Sequence, residues 1–443
     1  MRVLFYGDLA PTGFGSVTTD LGRQMLDLGV DVRFVSQNDT GHDLPEPFRS
    51  RTIDLVSLPT RINELSGEGG AIGAAAGIPA LMDGSTAALL HSGEPASGWV
   101  PEAAIMLGDF YAARHIVGRF LDAFRTVPTW HYCPVEGVGL PPLWRELWDV
   151  VTPVAMSEFG ADQIQQVTGV RPPMVYHGID ADVFRPVSSS RPMFLRRPAP
   201  AVLQSRADCK RAWVDHLFTV NAGTLERRAD GRLQMPRKWL LRTDRHMPRK
   251  RYDAMLRALG PVLERNNDWG LVIHCNALDQ GGYLPEAISK LSPLAQSRVM
   301  FTDNGAPPRA LGMVREQLAI LYNAADLYVS TSAEGFGLTI AEAIACGTPA
   351  VGLDYSAVPE VIGPAGRVVP STHLLDNEYG HHWAAIDEAE FARTVEYLMT
   401  HQTKREDLGR LGPAHVTANF SWATAARQFT DLIGSSLATG VAA

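Results

Sequence analysis

The chain has 443 residues, 45% of them hydrophobic and 20% charged, with a net charge of −8. This composition excludes a disordered or collagen-like chain and, at roughly 100–200 residues per domain, suggests two globular domains. Four scattered cysteines exclude a disulfide framework and zinc-finger spacing, and they fit a reducing cytoplasm, the expected location. The charge is uneven: from Arg185 to Arg251, 17 Lys/Arg stand against 5 Asp/Glu, so the remainder carries −20. Such an excess reads either as a surface facing a polyanion or as a solvated basic loop.

The N-terminal "MRVLFYGD" reads as a strand and lacks the parts of a signal peptide. The Ala/Gly-rich run that includes Pro79 and Asp83 is a poor membrane span. Val3–Tyr6 is apolar and β-like, and a glycine-containing loop follows. Val17, Leu21, Met25 and Leu28 then recur at helical spacing, with Gly29 placed to end the helix. "VDVRFVS" is the next strand, which completes the seed of a parallel α/β domain. Further strands are expected at Asp54–Leu58, Ala103–Leu107, Thr126–Tyr132, Val150–Ser157 and Met174–Asp180. Small-residue helices and a loop are expected from Ser66 to Gly98. The Pro-, Ser- and Arg-rich stretch Arg185–Pro200 reads as an interdomain linker.

The second half repeats the pattern. Strands are expected at His216–Gly223, Gly270–Asn276, Arg298–Asp303 and Asp326–Ser332, and an amphipathic helix at Arg251–Glu264. A final helix starts at Ser421, a suitable N-cap.

The stretch "STSAEGFGLTIAEAIACGTPAVG" (330–352) carries the most chemistry. It reads as strand, glycine turn, helix from Leu338 to about Cys346, and strand. The turn therefore sits at a helix N-terminus beyond the carboxyl end of a parallel strand, where α/β sheets bind ligands. The N–H groups of Phe336, Gly337, Leu338 and Thr339 suit phosphate oxygens. Glu342 shares a helix face with Leu338, and the carboxylates of Glu334 and Glu342 suit sugar or ribose hydroxyls. The alternative is that Glu334 only caps the helix.

These residues resemble the retaining glycosyltransferases of family 4: Glu334 and Glu342 match the family's Glu-x7-Glu signature, and "ACGTPAVG" matches as well. The resemblance implies an α/β GT-B fold, with two Rossmann-like domains facing each other across a cleft. It implies that Glu334 contacts the donor sugar, that Glu342 holds the ribose of a nucleotide sugar, and that the turn amides hold the diphosphate or the sugar. "DRHMPRKRYDAML" is similar to the family's Arg…Arg-Lys segment, which implies that Arg245 and Lys250 clamp the diphosphate. The intervening "TLERRADGRLQMPRKWLLRT" (224–243) leaves Arg242 and Arg227 as alternatives to Arg245, and it reads as an acceptor arm, an oligomer contact or a loop. "APTGFGSVTTDL" resembles the N-domain glycine loop, with Gly15 at a close approach to the donor. His131, following a strand, is by resemblance a sugar ligand; a structural histidine is the alternative. Asp109 and Glu136, also beyond strand ends, are acceptor candidates.

The resulting expectation is domains at 1–186 (acceptor) and 215–415 (donor), a linker at 187–214, and a helix at 416–443 that packs back on the first domain. The expected reaction is sugar transfer from a nucleotide-diphosphate sugar to an acceptor hydroxyl with retention, with no metal and no cofactor. The acceptor class is open: glycan, lipid, protein or a modified DNA base. The alternatives are a nucleotide-sugar epimerase, an NAD(P)-dependent oxidoreductase, against which the incomplete glycine fingerprint counts, and a nucleic-acid-binding protein.

Overall fold

The structure, a computed structural model, describes residues 1–10, 12–36, 44–54, 89–96, 98–119, 121–195, 201–226, 234–303 and 313–439. The chain divides into two compact units, Met1–Gly178 with Phe420–Ala443, and Ile179–Asn419.

The first unit is built on β1 (Arg2–Gly7), β2 (Asp31–Ser36), β3 (Ala103–Leu107), β4 (Thr129–Cys133) and β5 (Thr152–Ala155). They form a parallel sheet in the order β2-β1-β3-β4-β5. β3 and β4 are buried along their whole length, which is why they read as unbroken apolar runs. Helix α1 (Gly13–Asp27) connects β1 to β2; Thr12 caps it by accepting from the Gly15 N–H, and Val17, Leu21 and Met25 are its buried stripe. Gly29, at φ 80°, follows its end. The final helix, Trp422–Thr439, packs against α1, and its Phe429 ring lies edge-on to Tyr132.

The second unit centres on a six-stranded parallel sheet. A small antiparallel hairpin, β6 (Met193–Leu195) and β7 (Ala201–Leu203), and helix α2 (Arg206–Asn221) precede it. The sheet strands are β8 (Lys238–Thr243), β9 (Trp269–His274), β10 (Val299–Phe301), β11 (Leu327–Val329), β12 (Ala350–Leu353) and β13 (Gly366–Val369), in the order β10-β9-β8-β11-β12-β13. Helix α3 (Tyr252–Arg265) leads from β8 to β9, α4 (Arg315–Ala324) from β10 to β11, and α5 (Leu338–Ala345) from β11 to β12. An antiparallel hairpin follows the sheet, β14 (Ser371–Asp376) and β15 (His382–Ile386). β8 and β11 are neighbours whose onward connections run to opposite edges of the sheet. The crevice beyond their carboxyl ends is therefore the topological switch point, where open α/β sheets bind ligands.

Several sequence expectations are corrected. Residues 216–223 are not a strand. Positions 216–221 complete α2, and 222–223 turn away from its end; its inward residues Cys209, Trp213, Leu217 and Asn221 recur every four positions, while Phe218 is 40% exposed. "KWLLRT", expected within an insertion, is the central strand β8. Met174–Asp180 forms one bridge, Met174 to Ala155, and no strand. Gly178 is held so close to Trp422 that a Cβ would lie 2.1 Å from its backbone nitrogen. The stretch 187–214 carries β6, β7 and the first turns of α2, and Asn323 binds the Val187 N–H and the Arg185 carbonyl. Of the strand expected at Asp54–Leu58, positions 55–58 lie outside the described residues, as do 66–88 and 227–233.

Three members of the basic stretch are tied into this unit. Arg206 donates to the Cys346 carbonyl and Thr348, Lys210 pairs with Asp326, and Arg242 has no exposed surface. All four cysteines are buried free thiols. No helix among the described residues is long and apolar enough to cross a membrane.

Candidate active site

Two loops build the crevice of the second unit. The first leaves β8 at Thr243, passes through a 3₁₀ turn at Pro248–Lys250, and enters α3 through Arg251 in the left-handed region at φ 48°. The second leaves β11 at Val329 and enters α5 through Gly337, at φ 105°, a backbone geometry that favours glycine.

The Glu334 carboxylate lies where these loops meet. It accepts hydrogen bonds from the Lys250 ammonium, from Arg249 Nη1 at 3.0 Å and from Ser332 Oγ. Its backbone N–H donates to Ser356 Oγ at 2.8 Å. Lys250 Nζ also donates to Asp244 Oδ1 at 3.1 Å, and the other Asp244 oxygen lies 2.8 Å from Arg242 Nε. Arg242 Nη2 donates to Ser332 Oγ and to the Lys250 carbonyl. Thr339 Oγ1 donates to Asp244 Oδ1, the oxygen that Lys250 also holds, at 3.2 Å. Burial pushes the Glu334 carboxyl up, but the charges of Lys250 and Arg249 outweigh it and hold the group well below the usual carboxylate range.

Glu342, on the second turn of α5, is buried and accepts from Tyr322 OH at 2.9 Å. Tyr322 OH is within 2.8 Å of Thr243 Oγ1, and Tyr328 OH donates to Thr339 at 2.9 Å. Burial and the Glu342 charge push the Tyr322 hydroxyl far up, so it stays protonated and donates. A chain of hydroxyl groups thus links the two glutamates' surroundings.

Among the described residues no side chain caps α5, whose N-cap position is Gly337, so Glu334 is not its N-cap. The Ile340 and Ala341 N–H groups donate to the Gly337 carbonyl, whereas the N–H groups ahead of them lie before any helical acceptor, and the helix dipole adds positive potential there. Arg242, Arg249 and Lys250 stand against Asp244, Glu334 and Glu342, three charges of each sign, so the positive potential at that helix end comes from its N–H groups and dipole. The site favours an anion that brings hydroxyl groups with it. Among the described residues, no group of three or more His, Cys, Asp or Glu side chains could hold a metal ion.

The structure brings Lys250, Glu334, Thr339 and Glu342 together, with Phe336 buried and Leu338 half-buried at the same helix end. Arg245 does not join them: its guanidinium donates to both Asp279 oxygens at 3.0 and 3.1 Å, and its side chain is 60% exposed. The sequence reading missed Arg249, Asp244, Ser332 and Tyr322. The "RK" pair at 249–250 was the available signal for the first, whereas Tyr322 arrives from α4 with no local signature.

The remaining candidates belong to the first unit. Gly15 lies in the first turn of α1, and a Cβ there would lie 1.7 Å from the Ala10 carbonyl oxygen, so this face of the glycine meets the chain's own backbone. Asp109 is exposed and caps the helix Phe110–Arg119 by accepting from the Ala112 N–H. Glu136 is half-buried three residues beyond β4.

His131 is fully buried with both ring nitrogens engaged. Nε2 is 3.1 Å from the Gly108 carbonyl, and Nδ1 accepts from Trp148 Nε1 at 3.2 Å. It therefore ties β4 to its neighbours and offers no nitrogen to a sugar. Burial pushes its pKa down to about 4, although the Gly108 bond opposes this. An unfolded histidine titrates near 6.5, so between these values the unfolded state binds more protons and stability falls as pH drops. His131→Gln is expected to shrink the loss of unfolding free energy between pH 7 and 4.5 by about 2 kcal/mol. Denaturant unfolding at both pH values checks this; parallel pH profiles would overturn the assignment.

Residues 237–401 match the family model described as "Glycosyl transferases group 1". The D-inositol 3-phosphate glycosyltransferase of Corynebacterium diphtheriae is 29% identical over 194 residues, 43% of this chain and 40% of that protein. The O-antigen chain mannosyltransferase B of Escherichia coli is 41% identical over 90 residues, 18% of this chain and 24% of that protein. The matches to these curated relatives thus span less than half their length. Sucrose-phosphate synthase from Thermosynechococcus elongatus superposes with a TM-score of 0.67 at 16% identity, covering 99% of this chain and 100% of that one. The Anabaena protein HepE, solved with UDP and glucose, gives 0.64 at 15%, covering 98% and 100%. The chain has the GT-B fold of these structures, and the crevice around Glu334 lies inside the stretch that matches the glycosyl transferases group 1 model.

Proposed function

We propose that the chain is a retaining glycosyltransferase that moves a sugar from a nucleotide-diphosphate donor to an acceptor hydroxyl without a metal ion. The observation that carries this reading is the Lys250–Glu334 contact at the switch point, beside the uncapped start of α5. The family match over 237–401 and the sugar-transferring relatives support it.

In this reading the second unit binds the donor and the first the acceptor. The diphosphate takes the amides at 336–339 and the Lys250 ammonium, which exchanges its carboxylate partners for phosphate oxygens. Glu342 accepts from the ribose hydroxyls, and Glu334 from a hydroxyl of the transferred sugar. The acceptor attacks the anomeric carbon on the face from which the diphosphate leaves, and a leaving oxygen takes the acceptor's proton. Lys250 and the helix end stabilise the charge that develops on the leaving group. His131 and Arg245 are left out of this assignment.

The test is a thermal-shift screen of the full chain against UDP-, GDP- and ADP-sugars, followed by mass spectrometry of glycan, lipid, protein and DNA acceptors. A donor that raises the melting temperature and a product heavier by one sugar are expected. No shift with any donor, or an epimer without transfer, would overturn the reading.

A further inference from the structure

A cavity of about 490 Å³ in the second unit is lined by none of Lys250, Glu334, Thr339 and Glu342, and its volume falls within the roughly 300–1,000 Å³ of small-molecule sites. The cavity and the Glu334 crevice share the Pro248–Lys250 turn: Pro248 lines the cavity, while Arg249 and Lys250 hold Glu334. The hairpin β14–β15 supplies the opposite wall through Leu375, Asp376 and Trp383.

The lining is aromatic and polar at once. Tyr252 and Trp383 are buried, whereas Tyr283 is 62% exposed, a large ring left open to solvent at the cavity. Trp383 Nε1 is buried and has no hydrogen-bond partner among the described residues. The charged lining is Arg251, Asp253 and Asp376, and Arg251 is already paired in a fork with Asp253 at 3.1 Å. Asp253 takes Arg257 as well, and Asp376 takes His382 Nδ1 at 2.8 Å. Arg251 and Arg257 are both committed to Asp253, so no lining guanidinium is left over to hold a phosphate or a nucleotide. Aromatic faces suit the C–H face of a ring, and carboxylate oxygens and an indole N–H suit its hydroxyl groups.

We infer that this cavity binds a neutral sugar ring, at a site separate from that for the nucleotide donor. The binding stands without the proposed transfer reaction, and each has its own readout.

The test is saturation-transfer NMR with tryptophan fluorescence on the full chain. The probes are methyl α-glucopyranoside, methyl α-mannopyranoside, methyl β-galactopyranoside and N-acetylglucosamine. At least one is expected to bind saturably. Tyr283→Ala, at an exposed position, is expected to weaken it about fivefold or more, in keeping with the loss of one aromatic contact. Ala287→Phe, which fills the cavity wall, is expected to abolish it with the melting temperature retained. These losses support the site whether or not nucleotide sugars bind. No saturable binding of any probe, binding that survives both variants, or loss in Lys250→Ala but not in Tyr283→Ala would overturn it.

Discussion

Replacing Lys250 with alanine is expected to cut sugar transfer at least about 100-fold, the usual scale for removing one group that stabilises charge in the transition state. It is also expected to destabilise the second unit by roughly 2–3 kcal/mol, because Glu334 and Asp244 lose a buried partner. Arg249 stays on Glu334 and Arg242 on Asp244, so the cost falls short of a fully orphaned charge. The two effects are separable. Lys250→Met combined with Glu334→Gln removes both charges at nearly constant volume, and stability is expected to return to within about 1 kcal/mol while transfer stays low. Arg245→Ala, whose side chain pairs with Asp279 and not with the cluster, should leave transfer within about tenfold of the parent, since an ion pair with an exposed member contributes little. The pH dependence has a definite sign. The folded pKa of Glu334 is depressed, so the pair's contribution is present above the unfolded value of about 4.3 and is lost as pH falls through the folded one. Turnover near the parent rate in the double variant would show that the pair is structural and would remove the proposed site.

The local parts of this architecture are legible in the sequence and the non-local parts are not. β1, α1 and β2 follow from local pattern: Val17, Leu21 and Met25 recur at helical spacing and Gly29 ends the helix at positive φ, while the Thr12 cap emerges only in the structure. The start of α5 was legible for the same reason, because Gly337 adopts a backbone geometry that favours glycine. α2 was misread because "LFTV" resembles a strand taken by itself, although its inward residues are spaced by four along sixteen residues. That error hid β8 and put Arg242 in an insertion. The partner of Lys250 was not legible either: Asp244 lies six residues away on the same loop, but Glu334 lies 84 away on another strand's loop. Only the sheet order makes those loops neighbours. Charge was misleading in the same manner. A basic excess along the sequence suggested a surface, yet Arg206 and Arg242 are interior groups held by carbonyls, hydroxyls and Asp244.

Arg242 carries the second large expected effect. Its guanidinium has no exposed surface, and it lies over the Tyr252 ring at 5.2 Å. Burial alone would favour the neutral form, but the Asp244 carboxylate outweighs it, so the group stays charged. Arg242→Leu is expected to destabilise the second unit by about 3–5 kcal/mol, since Asp244 would remain buried with Lys250 as its ionic partner. Arg242→Lys is expected to rescue little, because one ammonium cannot reproduce the fork that binds Val329, Ser332, Asp244 and the Lys250 carbonyl. Urea unfolding followed by tryptophan fluorescence measures both. Arg242→Leu combined with Asp244→Asn is expected to recover part of the loss, as the orphaned charge is gone. Arg242 also fixes the Lys250 backbone, so donor KM should rise in this double variant even where stability returns. A donor KM equal to that of the parent would show that Lys250 is placed by the 3₁₀ turn alone, and a loss under about 1 kcal/mol in Arg242→Leu would show that the cluster tolerates an unpaired carboxylate.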